Sequence, residues 1–97
     1  MKHVRSLERA LVVLESFTED RRRLGLSELS RKLRISKATL LRILRTLEAH
    51  EIVRHRTDDR SFVLGPSIIR LGTLALRDSG LLEVGLSHIK RLQALTG

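Results

Sequence analysis

Cysteine, tryptophan and tyrosine are all missing from this 97-residue sequence, which holds one proline and two phenylalanines. Without cysteine there is neither a disulfide framework nor a thiolate metal site, and the redox compartment stays open. With aromatics at 2% the core has to be built from Leu, Ile and Val. No apolar run approaches the roughly 20 residues needed to cross a bilayer. The opening MKHVRSLERA lacks the apolar centre of a signal peptide. A soluble protein of the cytoplasm, with no membrane partner, is therefore expected. The histidines, His3, His50, His55 and His88, show no metal-ligand spacing. No nucleophile, base and orienting acid converge, and no glycine loop is built to cradle a phosphate. Neither an enzyme nor a cofactor is expected.

Positive charge is what the chain has in excess. Nineteen Lys and Arg stand against eleven Asp and Glu, a formal net charge of +8. Such an excess attracts polyanions. Its location favours nucleic acid over a general solubility charge, because residues 31–60 carry nine cations and four anions. A chain this short forms one small domain with a helical appendage, and gains stability from a partner.

Val4, Leu7, Leu11 and Leu14 follow helical spacing, with Ala10 and Phe17 broadening the stripe, which predicts a first helix from Ser6 as N-cap to about Thr18. TEDRRR ends it, and Arg21, Arg22 and Arg23 read as a solvated loop in preference to a DNA contact. LGL at 24–26 is a short extended piece before a second helix, about 28–33, capped by Ser27. A third helix follows Ser36 and runs to about His50, with Leu40, Ile43, Leu44 and Leu47 as an inward i, i+3, i+4, i+7 set. At about 100° per residue the opposite side centres on Ala38, Arg42 and Arg45, flanked by Leu41 and the pair Thr39 and Thr46.

Beyond His50 the composition turns to β type. IVRHRT and SFVL flank DDR and read as a hairpin, with Phe62 and Leu64 inward and Arg54, Arg56 and Arg60 on or beside its free side. His55 reads as a strand residue without a special role. Pro66 suits the first turn of a further helix, about 67–77, and an amphipathic helix is expected over about 81–95.

Helix, extended piece, helix, tight turn, helix and basic hairpin make a mainly α fold with a small β-hairpin, in the order of a winged helix-turn-helix. In that arrangement the second helix supports and the third enters the DNA major groove. Ser36, Lys37 and Thr39 sit at its amino end, where free amides and the helix dipole favour phosphate. Arg42, one turn on, has the planar fork that pairs with guanine O6 and N7. Leu41, read as exposed, suits a thymine methyl, and Arg45 a phosphate. The hairpin arginines suit phosphates or a narrow minor groove. The rival class is a winged-helix module for protein–protein contact, and the cationic face of the third helix argues against it.

VRSLERALVVLESF, LGLSELSRKLRISKATLLRILRTLEAHEIV and RSFVLGPSIIRLG together resemble the DNA-binding domain of the IclR family of bacterial transcription regulators, over nearly the whole chain. The resemblance implies a winged domain at 1–65, a linker helix at 66–80, and in 81–97 the start of an effector-binding domain otherwise absent from the sequence. It also implies homodimers on palindromic or repeated operator DNA, and a small-molecule effector bound through that absent domain. Base contacts in the family fall on Lys37, Thr39 and Arg42. Exposed leucines on the first and linker helices fit a dimer independently. The family has glycine where this chain has Arg34, in the tight turn, and Glu51, after the third helix. The wing turn TDDRS lacks its common glycine as well. Arg34 costs about 1 kcal/mol if held left-handed.

Overall fold

A computed structural model of the chain describes residues 3–78. Within it a first unit ends at Ser67 and a second begins at Ile68. The expected helix over 81–95 lies outside the described residues.

Helix α1 (Arg5–Glu15) starts after Val4, whose backbone is extended, and no side chain caps it. Ser6 is therefore in the first turn and is not the N-cap that the sequence suggested. Glu8 complements the positive end of the dipole there. The helix also stops earlier than Thr18. The Ser16 hydroxyl donates back to the Val12 carbonyl at 2.9 Å, and the Ser16 and Phe17 amides take tighter bonds to Val13 and Leu14. Thr18 and Arg21 then close a turn through reciprocal backbone bonds.

The apolar stripe of α1 is covered only in part. Val13 is fully buried and Leu14 and Phe17 pack against the core, whereas Val4, Leu7 and Leu11 are 62%, 57% and 49% exposed. This helix has apolar residues on more than one side. Spacing alone identifies a stripe, and the neighbouring elements decide which stripe is covered.

Helix α2 (Leu26–Leu33) begins one residue after Gly25, so Ser27 is likewise in the first turn and not the cap. The Glu28 carboxylate accepts the Gly25 amide at 3.4 Å. Leu29 is fully buried, with Leu26 and Leu33 beside it. The chain leaves α2 through Arg34 in the left-handed region, φ 55° and ψ 42°. The Ser30 hydroxyl ties this turn by donating to the Ile35 carbonyl at 2.7 Å.

Helix α3 (Lys37–Ala49) starts as its sequence predicts, on Ser36, whose hydroxyl oxygen accepts the Thr39 amide at 3.2 Å. Leu40 and Leu44 are fully buried, and Ile43 and Leu47 pack beside them. At the other end Ile52 N–H reaches the Leu47 carbonyl and Glu51 N–H the Glu48 carbonyl, both at 2.9 Å. This is a Schellman closure, and it holds Glu51 at φ 59° where glycine is favoured.

Strands β1 (Val53–His55) and β2 (Phe62–Leu64) pair antiparallel, Val53 opposite Leu64 and His55 opposite Phe62. Leu24 joins their edge through two backbone bonds with Phe62, at 3.0 and 2.8 Å, so the extended LGL piece serves as a third edge. Phe62 points into the core as expected. Leu64 does not: it is 43% exposed, although Val53 opposite it in the ladder is fully buried. Seven residues, Val13, Leu24, Leu29, Leu40, Leu44, Val53 and Phe62, form the buried cluster. Deleting any one of its leucines should cost about 2–5 kcal/mol.

Helix α4 (Pro66–Leu76) opens on Pro66, the position where a missing amide is harmless. Its entry is pinned by Ser67, whose amide donates to the Glu51 carbonyl and whose hydroxyl donates to that of His50 at 2.9 Å. Further along α4, Ile69, Leu71 and Leu74 are exposed.

Candidate nucleic-acid interface

Burying Leu40 and Leu44 on one side of α3 leaves the other side to solvent. Lys37, Ala38, Arg42 and Arg45 are all exposed there, as is the capping Ser36. None of these three cations forms an ion pair among the described residues. Their charges are therefore open to an external anion.

On α3, two residues of the expected site are less exposed than the rest. Thr39 is half-buried, and its hydroxyl oxygen accepts a bond from the Ser36 hydroxyl at 3.0 Å, so it serves the N-cap. Leu41 is also half-buried and packs against the core cluster. It is not the exposed apolar residue that helical angles suggested, because the wing and α2 close over that flank of α3. A cleft of about 690 Å³ marks the place, with Arg31, Leu41, Arg45 and Arg60 on its walls. It draws Arg45 of the helix and Arg60 of the wing to one rim.

The wing is less basic than its arginine content suggests. Arg54 is exposed and has no carboxylate partner among the described residues. Arg60, at the turn, adopts a left-handed conformation at φ 59° and is exposed. Arg56, in contrast, forks onto Asp58 through Nε at 3.0 Å and Nη2 at 2.6 Å. Asp59 accepts the Ser61 amide at 3.0 Å, the Ser61 hydroxyl at 2.6 Å and Arg23 Nη1 at 3.2 Å. Those bonds from Ser61, helped by Arg23, hold the Asp59 carboxyl down to about 2. The Arg56 fork likewise holds the Asp58 carboxyl below its usual range.

Sequence reading missed this network of Arg23, Asp58, Asp59 and Ser61. The only signal in the chain was the Asp-Asp pair between Arg56 and Arg60. Arg21 and Arg22 pair with Glu28 and Glu19, which fits a solvated loop. His55 has more to do than its strand position implied. It stacks on Phe62 at 4.6 Å between ring centroids, and its Nε2 reaches the Arg60 carbonyl at 3.2 Å. Among the described residues no group of three or more His, Asp or Glu is placed to hold a metal ion. No helix there is long and apolar enough to cross a membrane.

The comparisons with known proteins agree with this fold. The chain is similar to the glycerol operon regulatory protein of Streptomyces coelicolor, 37% identical over 75 residues, which are 77% of this chain and 30% of that protein. It is 31% identical over 94 residues to the HTH-type transcriptional regulator BhcR of Paracoccus denitrificans, covering 97% of this chain and 33% of that protein. The chain thus spans about a third of the length of these curated relatives. The crystal structure of an IclR transcriptional regulator from Alicyclobacillus acidocaldarius matches with a TM-score of 0.75 at 34% identity, over 80% of this chain and 32% of that one. A family model, the IclR helix-turn-helix domain, matches residues 6–57, more than half of the sequence. The chain belongs to the IclR family of DNA-binding transcription regulators and carries that family's winged helix-turn-helix.

Proposed function

We propose that this chain binds duplex DNA sequence-specifically and serves as the DNA-reading part of a transcription regulator in the cytoplasm. One observation carries the reading: α3 hides Leu40 and Leu44 completely while Lys37, Arg42 and Arg45 stand unpaired among the described residues on its other side. In the major groove, Lys37, Ala38 and Arg42 face base edges, and Arg42 takes a guanine O6/N7 pair. Thr39 contributes through the cap it forms with Ser36, whose end of the helix meets phosphate. Arg45 holds a phosphate beside the cleft, and Arg54 and Arg60 of the wing follow the backbone or the minor groove.

The division into a winged domain at 1–65, a linker helix at 66–80 and the start of an effector domain at 81–97 belongs to the same reading. So does pairing of two copies on a two-fold operator, supported by the exposed Leu7 and Leu11 of α1 and Ile69 and Leu74 of α4. Response to a small organic effector rests on the family resemblance and on the greater length of the relatives. A protein–protein role for the fold has no observation in its favour.

Titrating a mixed-sequence duplex at rising salt tests the reading. Each phosphate contact contributes about −0.9 to the log–log slope, so several contacts give a steep fall. A flat response overturns it.

A further inference from the structure

The pairing of Arg56 with Asp58 sets one wing arginine apart from its neighbours. A carboxylate and a phosphate present the same two-oxygen edge to a guanidinium fork. On Arg56 the edge made by Nε and Nη2 is already filled by both Asp58 oxygens, at 3.0 and 2.6 Å, and Asp59 lies 3.8 Å from Nε. Asp58 is itself held in place, since its Oδ1 also accepts the Asp59 amide at 2.8 Å. The backbone of Arg56 closes the wing by donating to the Ser61 carbonyl at 2.8 Å. Asp58 and Arg56 are therefore joined within one short turn, in which the Asp58 carboxylate is held by the Asp59 amide as well as by the guanidinium. A neutral pair releases no counterions when it meets DNA, and an approaching phosphate is repelled by Asp58 before it reaches the fork.

We propose that Asp58 is a built-in competitor for DNA phosphate, which keeps the Arg56 guanidinium out of the interface and leaves the wing's contact to Arg54 and Arg60. The proposal rests on the DNA-binding reading above and assigns Asp58 a part in it. The carboxylate lowers affinity for any duplex alike, and so raises the share of binding that α3 has to supply through base contacts. Asp58 is a positioning residue here, acting through Arg56.

The test compares salt slopes on one mixed-sequence duplex for the full chain and for Asp58→Asn, Arg56→Gln and the double variant. Asparagine keeps an oxygen for the Asp59 amide, so the turn stays closed, and Asp58→Ser repeats the comparison with a second acceptor. Asp58→Asn is expected to steepen the slope by about 0.9, one additional phosphate contact. Its affinity advantage over wild type then grows about threefold as salt falls from about 200 to 50 mM. Arg56→Gln and the double variant are expected to keep the wild-type slope. Identical slopes for wild type and both Asp58 variants overturn the proposal. So does an equal steepening in the Arg56→Gln background, which would mark a bulk charge effect, or a shallower slope for Arg56→Gln alone. A flat slope in all of them overturns the DNA reading itself, and this assignment with it.

Discussion

A Cβ added to Gly65 would stand 2.3 Å from the Glu51 carbonyl oxygen and 2.8 Å from its carbonyl carbon. That oxygen accepts the Ser67 amide at 3.0 Å, and the Gly65 amide donates to Ile52 at 2.8 Å. The end of α3, the end of the wing and the start of α4 thus meet backbone to backbone, with no room for a side chain. Gly65→Ala should destabilise the domain by about 1–3 kcal/mol, read as a lower urea midpoint. An unchanged midpoint would show that the crossing can relax.

Glu51 offers the opposite experiment. Its φ of 59° costs a residue with a Cβ about 1–2 kcal/mol, against about 0.4–1 kcal/mol of extra chain entropy for glycine in the unfolded state. Glu51→Gly should therefore stabilise by about 0.5–1 kcal/mol, with the urea m-value unchanged. Loss of stability would mean that Glu51 makes a contribution that its backbone does not show.

Removing the cap of α3 should weaken both fold and binding. Ser36→Ala deletes the acceptor for the Thr39 amide and the donor to the Thr39 hydroxyl, at a cost of about 1 kcal/mol. Ser36→Asp should restore most of the stability but not the affinity, since it sets an anion where phosphate is expected. Equal DNA affinity for the two variants would detach Ser36 from the interface.

Arg42 and Arg45 should separate by kind of loss. Arg42→Ala should cost about 1–3 kcal/mol on the preferred site and relax selection at one base pair. Arg45→Ala should weaken all sequences alike and reduce the salt slope by about 0.9. Selection from a random DNA pool is the measurement. Base preferences identical to wild type for Arg42→Ala would remove Arg42 from base reading.

The wing should carry an acid-sensitive part of the stability. Asp59 has a carboxyl near 2 when folded, against 3.8 for a free one. A depressed carboxyl stabilises above its unfolded value, and that stability is lost as pH falls from about 4 towards 2. Wild type should lose thermal midpoint across this window more steeply than Asp59→Asn. Parallel curves would show that the bonds from Ser61 and Arg23 do not persist in solution.

What was legible in the chain was what neighbouring residues decide among themselves. The order of elements, the cap at Ser36, the inward Leu40 and Leu44 and the helical start at Pro66 all follow from periods and caps a few residues long. Resemblance to the family flagged Arg34, Glu51 and the wing turn as unusual, and Arg34, Glu51 and Arg60 are the three left-handed non-glycine residues among those described. The tertiary structure alone decided the roll of α1 onto Val13 and away from Leu7 and Leu11, the half-burial of Leu41, and the exposure of Leu64. It also decided which arginines are paired among the described residues. Arg23 meets Asp59 across 36 residues of chain, and no local pattern encodes a partner at that distance. A helix carries its stripes and charges in its sequence, but which stripe is buried and which charge is neutralised depends on surfaces brought to it from elsewhere in the fold.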